Sequence, residues 1–417
     1  MNSLSKLKFL CVVPTFLSLG LLAPSCDNAN SAPSQTTGNT VAKTAIAPRD
    51  TGLVQTAADT DAQKTGTATQ SPNYPAADMA DTTVQLKRAY RNYFPIGTAV
   101  DSKMVTDPRT ASFIAKQYSS VTPVNDMKPV NIHPSENVYK WAPADKIVNF
   151  AVQNGLKVRG HCLVWFYRMP HWFFWDNGQL ASKELLYSRL DSHINTVMSR
   201  YKGKVYAYDV LNETVAKTTE TTQYSRIDTL YKIAGEDYIE HVFRTARKAD
   251  PSAKLFYNDT FYDEAKRDKI YAFLKEMKAK GVPIDGVGIQ CHIGIDGMSE
   301  ELLSNSIDMF AKLGLEVQIT ELDVSIFNRE AKAKTVANDS DDYTIDKEGK
   351  QSDIFNMVFK VCRQRKGVVT GITTWAPADI NNYLTKRLGK RNYPNLFDNN
   401  LKPKPMLRKI TDFKAGQ

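Results

Sequence analysis

Two strand-like segments of the chain end in acidic side chains. In one of them, polar and apolar residues alternate before Glu321 and Asp323. Because side chains two residues apart on a strand point to the same face, both carboxylates should project together from the strand end. An upstream segment ends similarly, with Asn212 and Glu213. Buried charge without a partner is costly, so acids at these positions favour a catalytic role over a structural one.

A pair of glutamates at the ends of two strands of one sheet fits the hydrolysis of a glycosidic bond. One carboxyl group would protonate the leaving oxygen, and the other would attack the sugar or activate water. This chemistry uses neither a metal nor a cofactor, and we expect neither. The six histidines show no HxxxH or HExxH spacing, so a zinc site is not indicated.

Alternating strand and helix patterns supply the elements that would position these glutamates. The predicted strands are Phe94–Val100, Ser120–Asn125, Lys157–Trp165, Val205–Glu213, Lys254–Asp259, Gly286–Ile293, Glu316–Asp323 and Val369–Trp375. The predicted helices cover 110–117, 143–154, 182–201, 236–249, 264–280, 300–313, 352–365 and 406–413. This alternation predicts an α/β fold, a closed (β/α)8 TIM barrel, whose chemistry lies at the carboxyl ends of the strands. An open doubly wound sheet is the alternative, but no Gly-x-Gly-x-x-Gly turn follows the first strand.

Polar or aromatic residues follow seven of the eight predicted strands, which is difficult to explain by core packing. They are Asn125, Asp126 and Lys128, then His161 and Trp165, Asn212 and Glu213, Asn258 and Asp259, Gln290 and His292, Glu321 and Asp323, and finally Trp375 and Asp379. These residues should meet at one rim of the barrel.

The N-terminus has the pattern of a secretion signal over residues 1–25. Lys6 and Lys8 precede an apolar stretch that is too short to span a membrane readily as a helix. The segment before Cys26 resembles a bacterial lipobox, with Ala23 where Leu is usual, so we expect a lipid anchor at Cys26, with plain secretion as the alternative. Residues 26–80 are poor in large apolar side chains and predict a flexible linker to a catalytic domain at 81–417. We therefore expect an exported monomer at the bacterial cell surface or in the periplasm.

A formal net charge of +9 makes a nucleic-acid partner worth considering. The basic residues are scattered, however, and form no nucleic-acid-binding motif, so we expect a solvated cationic surface and no such partner. The three cysteines of the predicted domain, Cys162, Cys291 and Cys362, are isolated in sequence. They predict neither a disulfide framework nor a metal site, but small buried hydrophobic side chains.

Six motifs occur in order on this framework. They are Thr122-Pro-Val-Asn125-Asp-Met-Lys128, Arg159-Gly-His161-Cys-Leu-Val-Trp165, Asp209-Val-Leu-Asn212-Glu213, Asp285-Gly-Val-Gly-Ile-Gln290-Cys-His292, Ile319-Thr-Glu321-Leu-Asp323 and Gly371-Ile-Thr-Thr-Trp375. With Leu396-Phe-Asp398 and Lys402-Pro-Lys-Pro405 near the C-terminus, residues 86–413 resemble glycoside hydrolase family 10, the endo-β-1,4-xylanases.

This resemblance implies a role for each acid. Glu213 would be the general acid/base and Glu321 the nucleophile of a retaining double displacement, with their carboxyl groups about 5–5.5 Å apart. Asp323 would orient His292, which would hydrogen-bond Glu321. The charge of Glu321 is expected to raise the pKa of Glu213, so that Glu213 carries a proton while Glu321 is ionised.

The resemblance also implies how the polysaccharide substrate, a xylan or related β-1,4-glycan, is bound. Asn212 would bind the sugar 2-hydroxyl, Trp165 and Trp375 would form apolar walls, and the residues that bind other sugar groups would be Asn125, Lys128, His161 and Gln290. For Asn258 and Asp259, a bracing role and a catalytic role are equally compatible with the sequence. Arg159 is expected below the site, and Tyr139 and Trp141 in packing.

Four residues depart from the family pattern on the side of the cleft that holds the glycone. The family usually has Glu at Val124, His at Phe166, Gln at Arg168 and Trp at Tyr383. Loss of a carboxylate and gain of a guanidinium predict a more cationic distal glycone subsite, suited to an acidic decoration such as a glucuronosyl branch.

Two other functions stay open. One is a retaining hydrolase of a different β-1,4-linked or specially decorated glycan, and the other is a surface glycan-binding protein without catalysis. The presence of both glutamates, Asn212 and His292 argues against the second, because a decayed enzyme is expected to lose one of them. The sequence does not decide between endo and exo action.

Overall fold

Eight parallel strands close into a barrel in the computed structural model, which describes residues 85–225, 227–380 and 382–413. The strands are β1 (Ile96–Val100), β2 (Ser120–Pro123), β3 (Lys157–Val164), β4 (Val205–Asn212), β5 (Lys254–Thr260), β6 (Gly286–Gln290), β7 (Glu316–Val324) and β8 (Val369–Thr374). Each strand pairs with the next, and β8 closes the barrel by pairing with β1, where Ile372 lies opposite Ile96. The predicted (β/α)8 barrel is confirmed. Seven strands lie within two residues of their predicted bounds, and β6 ends three residues before the predicted Ile293.

Helices follow the strands along the chain. They are Leu86–Ala89, Pro108–Gln117, Pro129–Ile132, Ala142–Gln153, Lys183–Tyr201, Thr229–Ala234, Asp237–Ala249, Glu264–Ala279, Glu300–Lys312, Ile345–Arg363, Tyr383–Leu388 and Met406–Thr411. The helix predicted over 352–365 begins earlier, at Ile345. Thr344 caps the helix by accepting a hydrogen bond from the Lys347 amide at 3.3 Å. Asp346 and Glu348 in the first turn stabilise it further, because negative charge interacts favourably with the positive end of the helix dipole. Its first turns are largely exposed and polar, so they lack the apolar periodicity from which the helix was predicted.

The predicted signal segment 1–25, with Cys26 and the linker 26–80, lies outside the described residues. The described residues all fall within the unit Thr67–Gln417. In that described part of the chain, no helix is both long and apolar enough to cross a membrane. The expectations about export, lipidation and the linker therefore stay predictions.

A buried ion pair forms a polar floor inside the barrel. Arg159 on β3 donates hydrogen bonds from both terminal guanidinium nitrogens, Nη1 and Nη2, to Asp209 on β4, the second at 2.6 Å. Its Nε donates to Gln318 on β7 at 2.9 Å. This bidentate geometry provides the strongest hydrogen bonding between a buried guanidinium and a carboxylate. The same Asp209 accepts a hydrogen bond from His161 Nδ1 at 2.9 Å, so this floor supports a predicted site residue directly above it.

The residues expected to serve packing do so. The rings of Tyr139 and Trp141 stack at 4.6 Å, and Tyr139 also stacks on His133 at 3.8 Å. Cys162, Cys291 and Cys362 are all buried and unbonded to one another. Each therefore acts as a small apolar side chain of the core.

Asp379, expected at the rim after β8, instead belongs to a second buried ion pair. Its carboxylate lies 2.8 Å from Lys404 Nζ, and the side chains of both residues are fully inaccessible to solvent. Lys404 also donates to the Tyr393 carbonyl at 2.7 Å, and the Asn395 amide donates to Asp379 at 2.8 Å. Burial raises the pKa of Asp379 to about 6 and lowers that of Lys404. The pair fastens the C-terminal segment to the barrel and does not line the cleft.

Replacing Lys404 with Met should destabilise the protein strongly, because the Asp379 carboxylate would be left buried without its cation. Loss of one partner of a buried pair costs about 3–5 kcal/mol of unfolding free energy. Lys409→Met is the matched control, since Lys409 pairs with Asp353 at the surface, where such a pair contributes little. Urea unfolding at pH 8 measures both variants, and equal losses would contradict this account of the buried pair.

Candidate active site

Strand β7 presents Glu321 and Asp323 toward one histidine. His292 belongs to a short extension of β6, His292–Ile293, and pairs in register with Asp323. Its Nδ1 lies 2.8 Å from Asp323 Oδ2, and its Nε2 lies 3.0 Å from Glu321 Oε2. The three side chains therefore form a continuous row that fixes the direction of the Glu321 carboxylate.

This row favours the ionised form of Glu321. Burial acts to raise the pKa of that carboxyl, but the hydrogen bond from His292, the electrostatic influence of His161 and His292, and the hydrogen bond from Asn258 together lower it to about 2. Burial disfavours charge on His292 as well, yet the two carboxylates beside it hold its pKa well above the ordinary value. At neutral pH, Glu321 is thus a carboxylate that accepts a hydrogen bond from a protonated His292.

Glu213 follows the last residue of β4 and has a backbone φ of +55°, a conformation uncommon for residues with a side chain. Its amide donates to the Asn258 carbonyl at 2.9 Å, and its Oε1 accepts hydrogen bonds from Gln290 at 3.0 Å and Asn212 at 3.2 Å. These contacts hold the Glu213 carboxyl at the turn where the chain leaves the barrel.

Burial is the largest cause that raises the pKa of Glu213, which reaches about 7. The negative charge of Asp259 comes second, and the charge of Glu321 contributes less than either. The sequence predicted that Glu321 raises the pKa of Glu213. Glu321 does so, but burial and Asp259, which the sequence did not indicate as causes, raise it more. The two glutamates therefore differ in protonation near neutral pH, as a paired acid and carboxylate require.

Asn258 joins the two glutamates. Its Nδ2 donates to Glu321 Oε1 and to Asn212 Oδ1, both at 2.8 Å, while its Oδ1 accepts from Thr320 at 2.7 Å. The geometry supports bracing by Asn258 on both sides, because its carbonyl accepts a hydrogen bond from the Glu213 amide and its side chain binds Glu321. Asn258 lies two residues before the end of β5, in register with Asn212 on β4, and the sequence signalled it as a polar residue near the end of a predicted strand.

Asp259 takes a different place. It is buried and makes no hydrogen bond to either glutamate among those described; its carboxylate instead contacts Tyr257 and Lys266. Asp209, which orients His161, is a second supporting acid that the sequence analysis quoted in a motif without giving it a role.

The remaining predicted site residues continue the same cleft. Lys128 Nζ donates to Asn125 at 3.1 Å and lies 5.2 Å from the centre of the Trp165 ring. His161 lies between the two tryptophans, with ring centres 6.4 Å from Trp165 and 5.4 Å from Trp375. The Trp375 ring in turn lies 5.9 Å from His292. Contacts therefore connect every predicted site residue to the two glutamates.

The departures fall in different segments: Phe166 and Arg168 share a 3₁₀ turn after β3, whereas Tyr383 begins a helix after β8. Tyr383, expected toward the distal glycone side, has its hydroxyl 3.1 Å from His292 Nδ1 and thus lies against the support of Glu321. The Arg168 guanidinium lies 5.8 Å from the centre of the Trp165 ring, close to Lys128. Phe166 packs on the neighbouring Tyr167 at 4.0 Å. Arg168 is therefore the departure that changes the charge of the cleft beside Trp165.

Comparison with known proteins decides the family. Residues 85–413 match the family described as glycosyl hydrolase family 10. The chain belongs to this family. It is 40% identical to a β-1,4-xylanase of Dictyoglomus thermophilum, over 79% of this chain and 90% of that protein. This family 10 member is therefore a glycoside hydrolase, as the resemblance implied.

Solved family 10 structures share its barrel. A xylanase from Paenibacillus barcinonensis, solved with a conduramine derivative, superposes with a TM-score of 0.75 at 38% identity, over 79% of this chain and 99% of that one. An endo-1,4-beta-xylanase from Caldicellulosiruptor owensensis gives a TM-score of 0.75 at 40% identity, with the same coverage. The part of the chain that the structure describes thus corresponds to nearly the whole of these proteins.

Adding a methyl group at Gly288 should impair catalysis, because Gly288 on β6 leaves the space through which Asn258 reaches β7. A Cβ there would lie 2.2 Å from Asn258 Oδ1 and 2.8 Å from Thr320 Cγ2. We expect Gly288→Ala to lower kcat about 100-fold, the order of loss that a displacement near 1 Å produces. Gly371→Ala on β8 is the control, since its nearest neighbour would be 3.4 Å away. Comparable activity in the two folded variants would argue against this role of Asn258.

Proposed function

We propose that the chain is a retaining endo-β-1,4-xylanase that hydrolyses internal β-1,4-xylosidic bonds of xylan. The observation that carries this proposal is the pair of glutamates at the ends of β4 and β7, in which Glu321 is bound by His292 and Glu213 by neutral amides. These surroundings lower the pKa of Glu321 and raise that of Glu213. The activities named for the family 10 relatives support xylan as the substrate.

In the first half of the proposed reaction, the Glu321 carboxylate attacks the anomeric carbon while Glu213 protonates the leaving glycosidic oxygen. The carbon–oxygen bond to the leaving sugar breaks, and a glycosyl ester of Glu321 forms. His292, oriented by Asp323, holds Glu321 charged and aimed. Since the pKa of Glu213 is about 7, the proton needed for this step is present in acidic to neutral solution and is lost as the pH rises further.

In the second half, Glu213 accepts a proton from water as the water attacks the ester. Esterification has by then removed the negative charge of Glu321, which is one of the influences that raise the pKa of Glu213. Ionisation of Glu213 is therefore easier in the intermediate than in the free enzyme, so one side chain can serve as acid and then as base.

Substrate binding is proposed to use the cleft between the two tryptophans. Trp165 and Trp375 would stack on sugar faces, Asn212 would bind the 2-hydroxyl, and the other polar contacts would come from Asn125, Lys128, His161 and Gln290. The buried Trp165 Nε1–H has no hydrogen-bond partner among the described residues, which leaves a donor for a sugar hydroxyl.

Product analysis on glucuronoxylan and unsubstituted xylan tests the function. Wild type should release oligosaccharides from both, and Glu321→Ala should lose this activity by at least about 10⁴-fold because no nucleophile remains. Glu213→Ala should fail on xylan but still form the glycosyl-enzyme from a dinitrophenyl xylobioside, whose leaving group needs no proton. If folded wild type cuts neither xylan, another β-1,4-linked glycan or glycan binding without hydrolysis replaces the xylanase assignment.

A second element of the proposal concerns the glycone side of the cleft. Lys128 and Arg168 both approach the Trp165 ring, and where the family usually has a glutamate the chain has Val124. In the described ranges, the Arg168 guanidinium has no carboxylate partner. A guanidinium in this position can bind a carboxylate with two parallel hydrogen bonds. We infer that the distal glycone subsite accepts a glucuronosyl branch better than an undecorated xylose.

Arg168→Gln should therefore reduce the preference for acidic decoration. We expect the ratio of kcat/KM on glucuronoxylo-oligosaccharides to that on plain xylo-oligosaccharides to fall about tenfold, the value of one charge-assisted hydrogen bond. Arg329→Gln is a matched control, because Arg329 lies over the Tyr262 ring, on the segment after β7. An unchanged ratio in Arg168→Gln, or an equal fall in both variants, would refute this subsite.

A further inference from the structure

A buried cluster of three side chains lies behind the turn that carries Glu213. Asp259 Oδ2 accepts hydrogen bonds from the Tyr257 hydroxyl and from Lys266 Nζ, the latter at 3.2 Å. Asp259 Oδ1 accepts from the Thr260 amide at 2.7 Å. Asp259 is 2% exposed and Lys266 is 7% exposed, so this ion pair lies in the interior. The proposed reaction makes no direct use of any of these groups.

The cluster holds the chain immediately after Glu213. The Tyr257 hydroxyl accepts a hydrogen bond from the Val215 amide at 3.1 Å. Lys266 Nζ donates to the Val215 carbonyl and, at 3.3 Å, to the carbonyl of Ala216. Both polar groups of Val215 are therefore bound by side chains that Asp259 holds in place. Such fixing is needed because Glu213 itself has a positive φ, which persists only where the surroundings determine it.

We propose that Asp259 is a positioning residue for Glu213, which fixes the following chain through Tyr257 and Lys266 and places a carboxylate behind the acid/base carboxyl. This inference rests on the proposed function of Glu213. It gives Asp259 a role distinct from that of Asn258, its neighbour on β5, whose side chain contacts Glu321.

The charges around Glu213 agree with this role. Besides Asp259, the titratable groups that act on it or feel its charge are Glu321, His292, Lys128, Cys162 and Tyr167. Glu321 loses its charge when the glycosyl ester forms, whereas Asp259 does not react. Burial raises the pKa of Asp259, and the paired Lys266 acts in the opposite direction and favours its ionised form. After burial, Asp259 contributes more than Glu321 to the raised pKa of Glu213.

The pH dependence of kcat/KM on xylan tests the proposal. In wild type, activity should fall at alkaline pH as Glu213 loses its proton near pH 7. Asp259→Asn removes a negative charge, so the ionised form of Glu213 becomes less unfavourable and the alkaline limb should move to lower pH. We expect a shift of about 0.5–1 pH unit, at the lower end of the effect of a nearby like charge. A purely structural role would lower the rate without moving this limb.

Asp228→Asn is the matched control. Asp228 is also a buried carboxylate that binds a tyrosine hydroxyl, that of Tyr238 at 2.7 Å, and it accepts from Thr214 at 2.9 Å, directly after Glu213. It thus braces the same segment but is not among the main charges that act on Glu213. Its alkaline limb should stay where it is in wild type. Asp259→Glu, which restores the charge, should return the limb toward the wild-type position.

The outcomes separate this inference from the proposed function. If wild type cuts xylan and shows the alkaline limb, but a folded Asp259→Asn variant shows the same limb, the inference is overturned and the proposed function stands. Asp259→Ser serves as the neutral variant if Asp259→Asn does not fold. If wild type lacks the limb or does not cut xylan, the proposed function itself fails.

Discussion

The side-chain amide of Asn258 is the contact on which the geometry of the cleft depends. From β5 it reaches Asn212 at the end of β4 and Glu321 on β7, and Thr320 fixes which way the amide points. The two strands that carry the glutamates are not neighbours, since β5 and β6 lie between them. A glycine on β6 is what allows an amide on β5 to cross to β7. The arrangement is therefore built from rigid strands, which hold catalytic groups more precisely than loops do.

Two identical side chains acquire opposite properties from their surroundings. Glu321 is buried and Glu213 is partly buried, and removal from water by itself would favour the neutral form of each. Glu321 receives hydrogen bonds from a protonated histidine and an amide, and these outweigh burial. Among the described residues, Glu213 receives side-chain hydrogen bonds from the neutral amides of Asn212 and Gln290, and the charge of Asp259 also acts on it, so the effect of burial prevails. The difference in pKa between Glu213 and Glu321 therefore follows from the hydrogen-bond partners and charges around each carboxyl group.

The sequence predicted what depends on local periodicity. The strands, the order of the barrel and the polar residues that end each strand could be read from alternation with a period of two, and six motifs gave the family. What it missed depends on residues far apart in the chain. Asp379 is bound by Lys404, and the charge that acts most on Glu213 comes from Asp259. The spacing of residues on one strand does not show which residues of distant segments will contact them. Asn258 and Asp259 are adjacent in sequence, yet Asn258 binds Glu321 whereas Asp259 binds Lys266.

The two glutamates and Arg168 are placed on different parts of the fold. The acids, His292 and the amides that bind them stand on the strands or directly at their ends. Arg159 and Asp209 form the polar floor of the same barrel. Arg168 instead lies in a short 3₁₀ turn after β3, where a substitution changes the charge beside Trp165 without disturbing the floor. A substitution at this position can therefore change the charge of the rim while the glutamate pair stays intact, because segments after strands tolerate change that strands do not. Tyr383 is the exception, since its contact with His292 couples a departure from the family pattern directly to the support of Glu321.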